Sequence, residues 1–167
     1  MSFYTRSLPS PTGALTLFAD EDALIVVEWG KGPEGSTSPL LEEAARQLNA
    51  YFDGKLKTFD LPLAPEGTDF QRTVWDSMLR IPYGHARTYG DLAHDLTSSA
   101  RAVGGACGSN PIPIIIPCHR VVGANGKLTG FSGGEGVETK TRLLVLEGNL
   151  APEPDLFDQV KRDKCTR

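Results

Sequence analysis

The stretch Pro111-Ile112-Pro113-Ile114-Ile115-Ile116-Pro117-Cys118-His119-Arg120 decides the reading of this chain. An apolar run ends at a proline and delivers a cysteine and a histidine side by side. The reactive form of a cysteine is the thiolate, and a neighbouring base or cation favours it. His119 and Arg120 are two such groups, which sets Cys118 apart from the other cysteines. Buried free cysteines are more often inert packing, and Cys107, in an Ala/Gly-rich segment, fits that description. Cys165, in a charged tail, reads as an ordinary exposed thiol. Adjacent side chains usually diverge, so His119 is expected to act on Cys118 through a bridging water.

Working outward, the flanks read as helices. Thr88 with Asp91 makes a capping box that opens a short helix through Leu92 and Leu96. After Thr97-Ser98-Ser99 a second helix runs from Ala100 to about Ser109, where Asn110-Pro111 ends it. Two short helices joined by a tight turn form a helix-turn-helix pattern. Arg101 stands alone among Ala, Gly and Val, residues that stabilise a helix poorly and bury little. Most helix arginines are merely exposed charges, but a face of small residues suits close approach to another surface. Proteins that work on a base take it out of the duplex, and an inserted side chain can hold the vacated place. Downstream, Val121-Val122, Asn125-Gly126 and Lys127-Leu128 read as a hairpin able to serve as a wing. Val137, Thr141, Leu144 and Val145 mark a last helix, with Glu147 in its final turn and Gly148 just past it. A histidine acting as base needs a third group to orient it, and Glu147 is a candidate. By spacing alone, a solvated carboxylate at a helix end is the commoner case.

Upstream, Thr68 with Gln71 makes another capping box and opens a helix through Phe70, Val74, Trp75, Met78 and Leu79, which Ile81-Pro82-Tyr83-Gly84 breaks. The N-terminal third reads as strands with one helix. Residues 14–18 and 24–29 form a hairpin, Leu41, Ala44, Ala45, Leu48, Tyr51 and Phe52 share a helical face, and Phe59, Leu61 and Leu63 alternate as a further strand. Pro65-Glu66-Gly67 divides the chain into an α/β scaffold (1–67), a part holding the helix pair and Cys118 (68–150) and a loosely held tail (151–167). No catalytic constellation precedes the boundary. The expected fold class is α+β: a small antiparallel sheet with a helix, then a mostly helical, winged helix-turn-helix-like part carrying Cys118.

Composition narrows the classes. The 167 residues are 23% charged and 40% hydrophobic, as in an ordinary globular protein. Three cysteines without a Cys-x-x-Cys argue against a disulfide framework or a zinc ribbon. Cys107, Cys118 and His119 lack the paired spacing of a metal site, and His85 and His94 read as surface residues, so no metal is expected. No dinucleotide-binding or phosphate-cradling glycine pattern is present, so no cofactor is expected either. No apolar run is long enough for a membrane span and the start lacks a signal peptide's core, which favours a reducing, cytoplasmic setting. The net charge is −4, yet residues 70–131 carry six basic and three acidic side chains and all three histidines. A mildly basic middle permits a nucleic-acid partner.

The block PIPIIIPCHRVVGANGKLTGFSGG resembles the active-site block of the O6-alkylguanine-DNA alkyltransferases, also called methylated-DNA–protein-cysteine methyltransferases. The resemblance extends upstream through Asp69-Phe70-Gln71, Val74-Trp75, Ile81-Pro82-Tyr83-Gly84, Thr88-Tyr89-Gly90 and Ala100-Arg101-Ala102-Val103-Gly104, and covers residues 68–148 strongly. It implies direct-reversal repair: O6-alkylguanine is flipped out of duplex DNA and its alkyl group passes irreversibly to Cys118. By the same resemblance His119 deprotonates Cys118 through water, Glu147 orients His119, and Asn110 ties the helix-turn-helix to the active-site loop. Tyr89 rotates the target's 3′ phosphate and donates a hydrogen bond to the guanine. Arg101 fills the gap, and Ala100, Ala102 and Gly104 lie in the minor groove. Pro113, Phe131 and Ser132 line the guanine pocket, and the carbonyls of Cys118 and Val121 hold the guanine amine. Phe131 stands where the family usually carries tyrosine, and the segment between Tyr89 and Arg101 is shorter than usual. The partner implied is double-stranded DNA, bound by a monomer without a membrane. The rival readings are a non-enzymatic alkylguanine sensor, a winged-helix DNA-binding regulator and a cysteine hydrolase.

Overall fold

Leu15, Leu17 and Ala19 recur at every second position and are fully buried, so one face of their strand builds the first layer of the fold. The computed structural model describes residues 2–33, 35–128 and 133–150. Its N-terminal part is an antiparallel meander of β1 (Tyr4–Leu8), β2 (Leu15–Ala19) and β3 (Leu24–Trp29), with β2 in the centre. Leu17 pairs with Arg6 on one side and Val27 on the other. The hairpin expected from the sequence is β2–β3, while β1 is an addition that sequence reading did not single out. Helix α1 (Pro39–Phe52) buries Leu41, Ala44, Ala45, Leu48 and Tyr51, the helical spacing that keeps one stripe inward. Ser38 caps it by accepting from the Leu41 N–H at 3.3 Å.

One expected strand does not form. The alternation at Phe59, Leu61 and Leu63 yields only a single parallel bridge, Leu63 with Leu24. The Leu24 N–H donates to the Pro62 carbonyl and the Ala64 N–H to the Leu24 carbonyl, each at 2.9 Å. Pro62 and Pro65 have no N–H to extend a ladder, so the contact stays local.

The second part is helical, and its caps follow the sequence. Helix α2 (Asp69–Leu79) opens on the Thr68/Gln71 box, with bonds of 3.1 and 2.9 Å. Strand β4 (Arg87–Thr88) runs into helix α3 (Tyr89–Asp95), which opens on the Thr88/Asp91 box at 2.9 and 3.0 Å. Ser99 caps helix α4 (Ala100–Gly108). The buried Trp75 indole N–H donates to the Ala106 carbonyl at 2.8 Å and locks α2 to α4. Gly67 lets the chain pass this indole: a Cβ there would lie 2.4 Å from a Trp75 ring carbon.

The hairpin expected after Cys118 takes another form. The Asn125-Gly126 turn is present, with φ of 61° and 77°, and the Gly123 N–H reaches the Lys127 carbonyl at 2.6 Å. No strand follows at Lys127-Leu128. Instead β5 (Val121–Val122) pairs in parallel with β4, Arg87 opposite Val121 and Thr88 opposite Val122. Helix α5 (Val137–Leu146) is the last element among the described residues, with Glu147 as its C-cap and Gly148 at φ 75° beyond it. Buried side chains of the sheet, of α1, α2, α4 and α5 and of the Ile112–Ile116 run form one continuous cluster. The Val27 N–H donates to the Pro111 carbonyl at 2.9 Å, tying β3 to the start of the Cys118 loop. Among the described residues no helix is long and apolar enough to cross a membrane.

Candidate active site

The loop from Asn110 to Pro117 presents Cys118, and Asn110 shapes it. The Asn110 side chain donates to the Ile116 carbonyl and accepts from the Ile112 N–H, both at 2.9 Å. Between them Ile114 is fully buried at φ 74°, a conformation that a β-branched residue avoids unless its surroundings impose it. Residues Cys118–Arg120 then make one 3-10 turn, which points successive side chains in different directions. Cys118 faces a cavity of about 460 Å³, also lined by Val26, Trp29, Tyr89, Cys107 and Pro113. His119 is fully buried and meets Glu147 through Nε2.

Glu147 collects several donors. Its Oε2 holds His119 Nε2 at 2.7 Å and Arg120 Nη2 at 3.0 Å, and its Oε1 accepts from Arg120 Nε at 2.8 Å. The Tyr51 hydroxyl donates to the same Oε2 at 2.6 Å. Arg120 also donates to the Ile81 carbonyl at 2.7 Å. With Nε2 committed to a carboxylate, the neutral ring carries its proton there and leaves Nδ1 as an acceptor. Among the described residues His119 Nδ1 is the one buried side-chain polar atom without a hydrogen-bond partner.

Burial raises the Cys118 thiol pKa, against a hydrogen bond from Asn110 and the charge of Lys140. Burial lowers that of His119, against its bond to Glu147. Burial alone would raise Glu147, but the donors His119, Arg120 and Tyr51 hold it down to about 2. The resting site is therefore a protonated thiol, a neutral imidazole and a carboxylate. Burial raises Tyr89 to about 12, so it remains a phenol donor.

The remaining expected residues fall on two surfaces. Tyr89 stands at the cavity because β4 pairs beside β5, the strand that follows the Cys118 turn. The Val121 carbonyl accepts from the buried Lys140 Nζ, which also lies 3.4 Å from the Tyr89 hydroxyl. On α4, Val103, Ala106 and Cys107 face inward, Ala100, Arg101 and Ala102 are exposed and Gly104 is half-buried. Among the described residues Arg101 makes no ion pair. Phe131, Ser132 and the tail with Cys165 lie outside the described residues.

Two sequence readings need correction. Arg120 does not serve the thiol, being committed to Glu147 and Ile81. The N-terminal third is more than scaffold, since β3 lines the cavity and Tyr51 reaches Glu147. Lys140 passed unnoticed among ordinary helix charges, although it is fully buried. A lysine at an inward position of an amphipathic helix was the available signal.

Comparison with known proteins agrees with this geometry. Residues 69–149 match the family model "6-O-methylguanine DNA methyltransferase, DNA binding domain", and residues 3–65 match its "ribonuclease-like domain". The methylated-DNA–protein-cysteine methyltransferase of Methanosarcina acetivorans is 47% identical over 156 residues, covering 87% of this chain and 99% of that one. Its namesake from Mycobacterium bovis is 45% identical over 168 residues, covering 92% and 98%. Among solved structures, the Mycobacterium tuberculosis O6-methylguanine methyltransferase superposes with a TM-score of 0.78 at 42% identity, covering 93% of this chain and 99% of that one. The M. tuberculosis OGT in complex with DNA gives 0.77 at 46%, covering 90% and 96%. Two family models that together span residues 3–65 and 69–149, and relatives matched over nearly the whole chain, place this protein in the methylated-DNA–protein-cysteine methyltransferase family.

Proposed function

We propose that this protein repairs O6-alkylguanine in double-stranded DNA by moving the alkyl group onto Cys118. The observation that carries the reading is the division of His119: Nε2 is held by Glu147, while buried Nδ1 has no partner. A water between Nδ1 and Cys118 Sγ completes a relay from thiol to imidazole. The thiolate attacks the alkyl carbon, the carbon–oxygen bond breaks and its electron pair goes to guanine O6. The departing guanine is stabilised by hydrogen bonds to its developing charge, one of them from Tyr89. Lys140 holds the Val121 carbonyl that receives the guanine amine, and Pro113 lines the pocket. The S-alkylcysteine formed is a thioether that water does not cleave, so each molecule acts once, without cofactor or metal.

A base inside a duplex cannot reach a buried thiol, so the target must flip. The small outward side chains of α4 suit the minor groove: Ala100, Ala102 and Gly104 let the backbone approach, and Arg101 enters the vacated space. The DNA complex of the M. tuberculosis relative supports DNA as the partner. The protein works as a monomer, and the free thiols Cys107 and Cys118 suit a reducing cytoplasm. The test is methyl transfer from an O6-[³H]methylguanine oligonucleotide. The native protein should acquire label, and Cys118→Ser should bind the DNA and acquire none, because a hydroxyl is a far weaker nucleophile. A labelled serine variant, or an unlabelled native protein, would refute the proposal.

A further inference from the structure

Glu147 carries a donor that the thiol–water–imidazole relay does not require. Tyr51 comes from α1, in the half of the chain that reads as scaffold, and is fully buried. Its hydroxyl lies 2.6 Å from Glu147 Oε2, the oxygen that also holds His119 Nε2 at 2.7 Å. The ring is clamped edge-on by Phe52 and Tyr83, with centroids 5.3 and 6.3 Å away, and lies against Phe59 at 5.3 Å. A clamped ring fixes the direction of its hydroxyl, unlike a flexible donor such as lysine. Burial and the adjacent carboxylate push the phenol's pKa well above its ordinary value, so it always donates.

We infer that Tyr51 is a positioning residue for alkyl transfer: its hydroxyl pins Glu147 Oε2 so that the carboxylate aims one lone pair at His119. The inference rests on the alkyl-transfer reading above and adds the N-terminal helix to the machinery. Two consequences follow from the geometry. Without the hydroxyl, the carboxylate keeps only Arg120 and His119 and its aim at the imidazole loosens. Oε2 also becomes more basic, because a donor that shared its charge is gone, and the protonated imidazole gains stability. The other charged or titratable groups near the pair are Arg120 from the Cys118 turn, Tyr83 from the segment after α2 and Lys140 from α5, and all remain in place.

Tyr51→Phe keeps the clamped ring and removes the hydroxyl alone. The His119 titration, followed by ¹⁵N NMR, should move up by about half a pH unit. Transfer from free O6-benzylguanine should slow about threefold to tenfold, the worth of one hydrogen bond. In a Glu147→Gln background the same substitution should change the rate less than about twofold, because its effect passes through Glu147. An unmoved or lowered His119 titration, or equal fold losses in both backgrounds, would overturn the inference and leave Tyr51 as packing. A native protein that never alkylates Cys118 would defeat the alkyl-transfer reading instead, and the His119 titration would still decide the role of Tyr51.

Discussion

Replacing Glu147 by Gln should destabilise the protein by an amount that depends on pH in a calculable way. Glutamine keeps the shape of a neutral carboxyl and loses the charge. In the fold, Glu147 is held down to about 2 from an ordinary 4.5, the donors His119, Arg120 and Tyr51 outweighing burial. At about 1.4 kcal/mol per pKa unit, the ionised form is favoured by the fold by about 3 kcal/mol. A depressed carboxylate pKa contributes stability that is complete above the unfolded value and is lost as pH falls through the folded one. From the carboxylate alone, the substitution should therefore cost about 3 kcal/mol at pH 7 and about 1 kcal/mol at pH 3. His119 works against this narrowing: Glu147 opposes the burial that lowers its pKa, so the variant lowers it further and loses more stability than the native protein below pH 6.5. Urea denaturation is the assay: with a slope near 2 kcal/mol per molar, the midpoint should fall by about 1.5 M at pH 7. A gap below about 1 kcal/mol at pH 7 would refute the reasoning.

Two further perturbations address other parts of the account. Arg101→Ala should leave the thermal midpoint unchanged and slow repair in duplex DNA more than reaction with free O6-benzylguanine, since only the duplex requires flipping; equal losses on both substrates would remove Arg101 from the flipping step. Gly67→Ala should cost about 1–3 kcal/mol in urea unfolding, because the indole in its way is anchored to Ala106 and cannot yield cheaply; an unchanged midpoint would mean that the chain relaxes around it.

What was legible in the sequence was local. Both capping boxes, the β2–β3 hairpin and the ends of α4 and α5 are written in neighbouring residues, and each forms where it reads. Cys118 and His119 announce themselves by adjacency. The misreadings involve partners far apart in the chain. Val121-Val122 looks like half of a hairpin because Asn125-Gly126 follows, yet its pairing partner lies more than thirty residues upstream at Arg87-Thr88. Tyr51 occupies an apolar face position and reads as core, since nothing near it in sequence shows that its hydroxyl meets Glu147, 96 residues away. Arg120, next to a reactive cysteine, suggests a cation for the thiolate, but the 3-10 turn aims it at Glu147.

The central claim is that Cys118 accepts one alkyl group and keeps it. Intact-protein mass spectrometry with peptide mapping, after incubation with excess duplex carrying O6-methylguanine, tests it most directly. The account predicts a gain of one methyl group per chain, located on Cys118, with reaction stopping once the protein is consumed. Continued turnover, or methyl found mainly on Cys107, would contradict it.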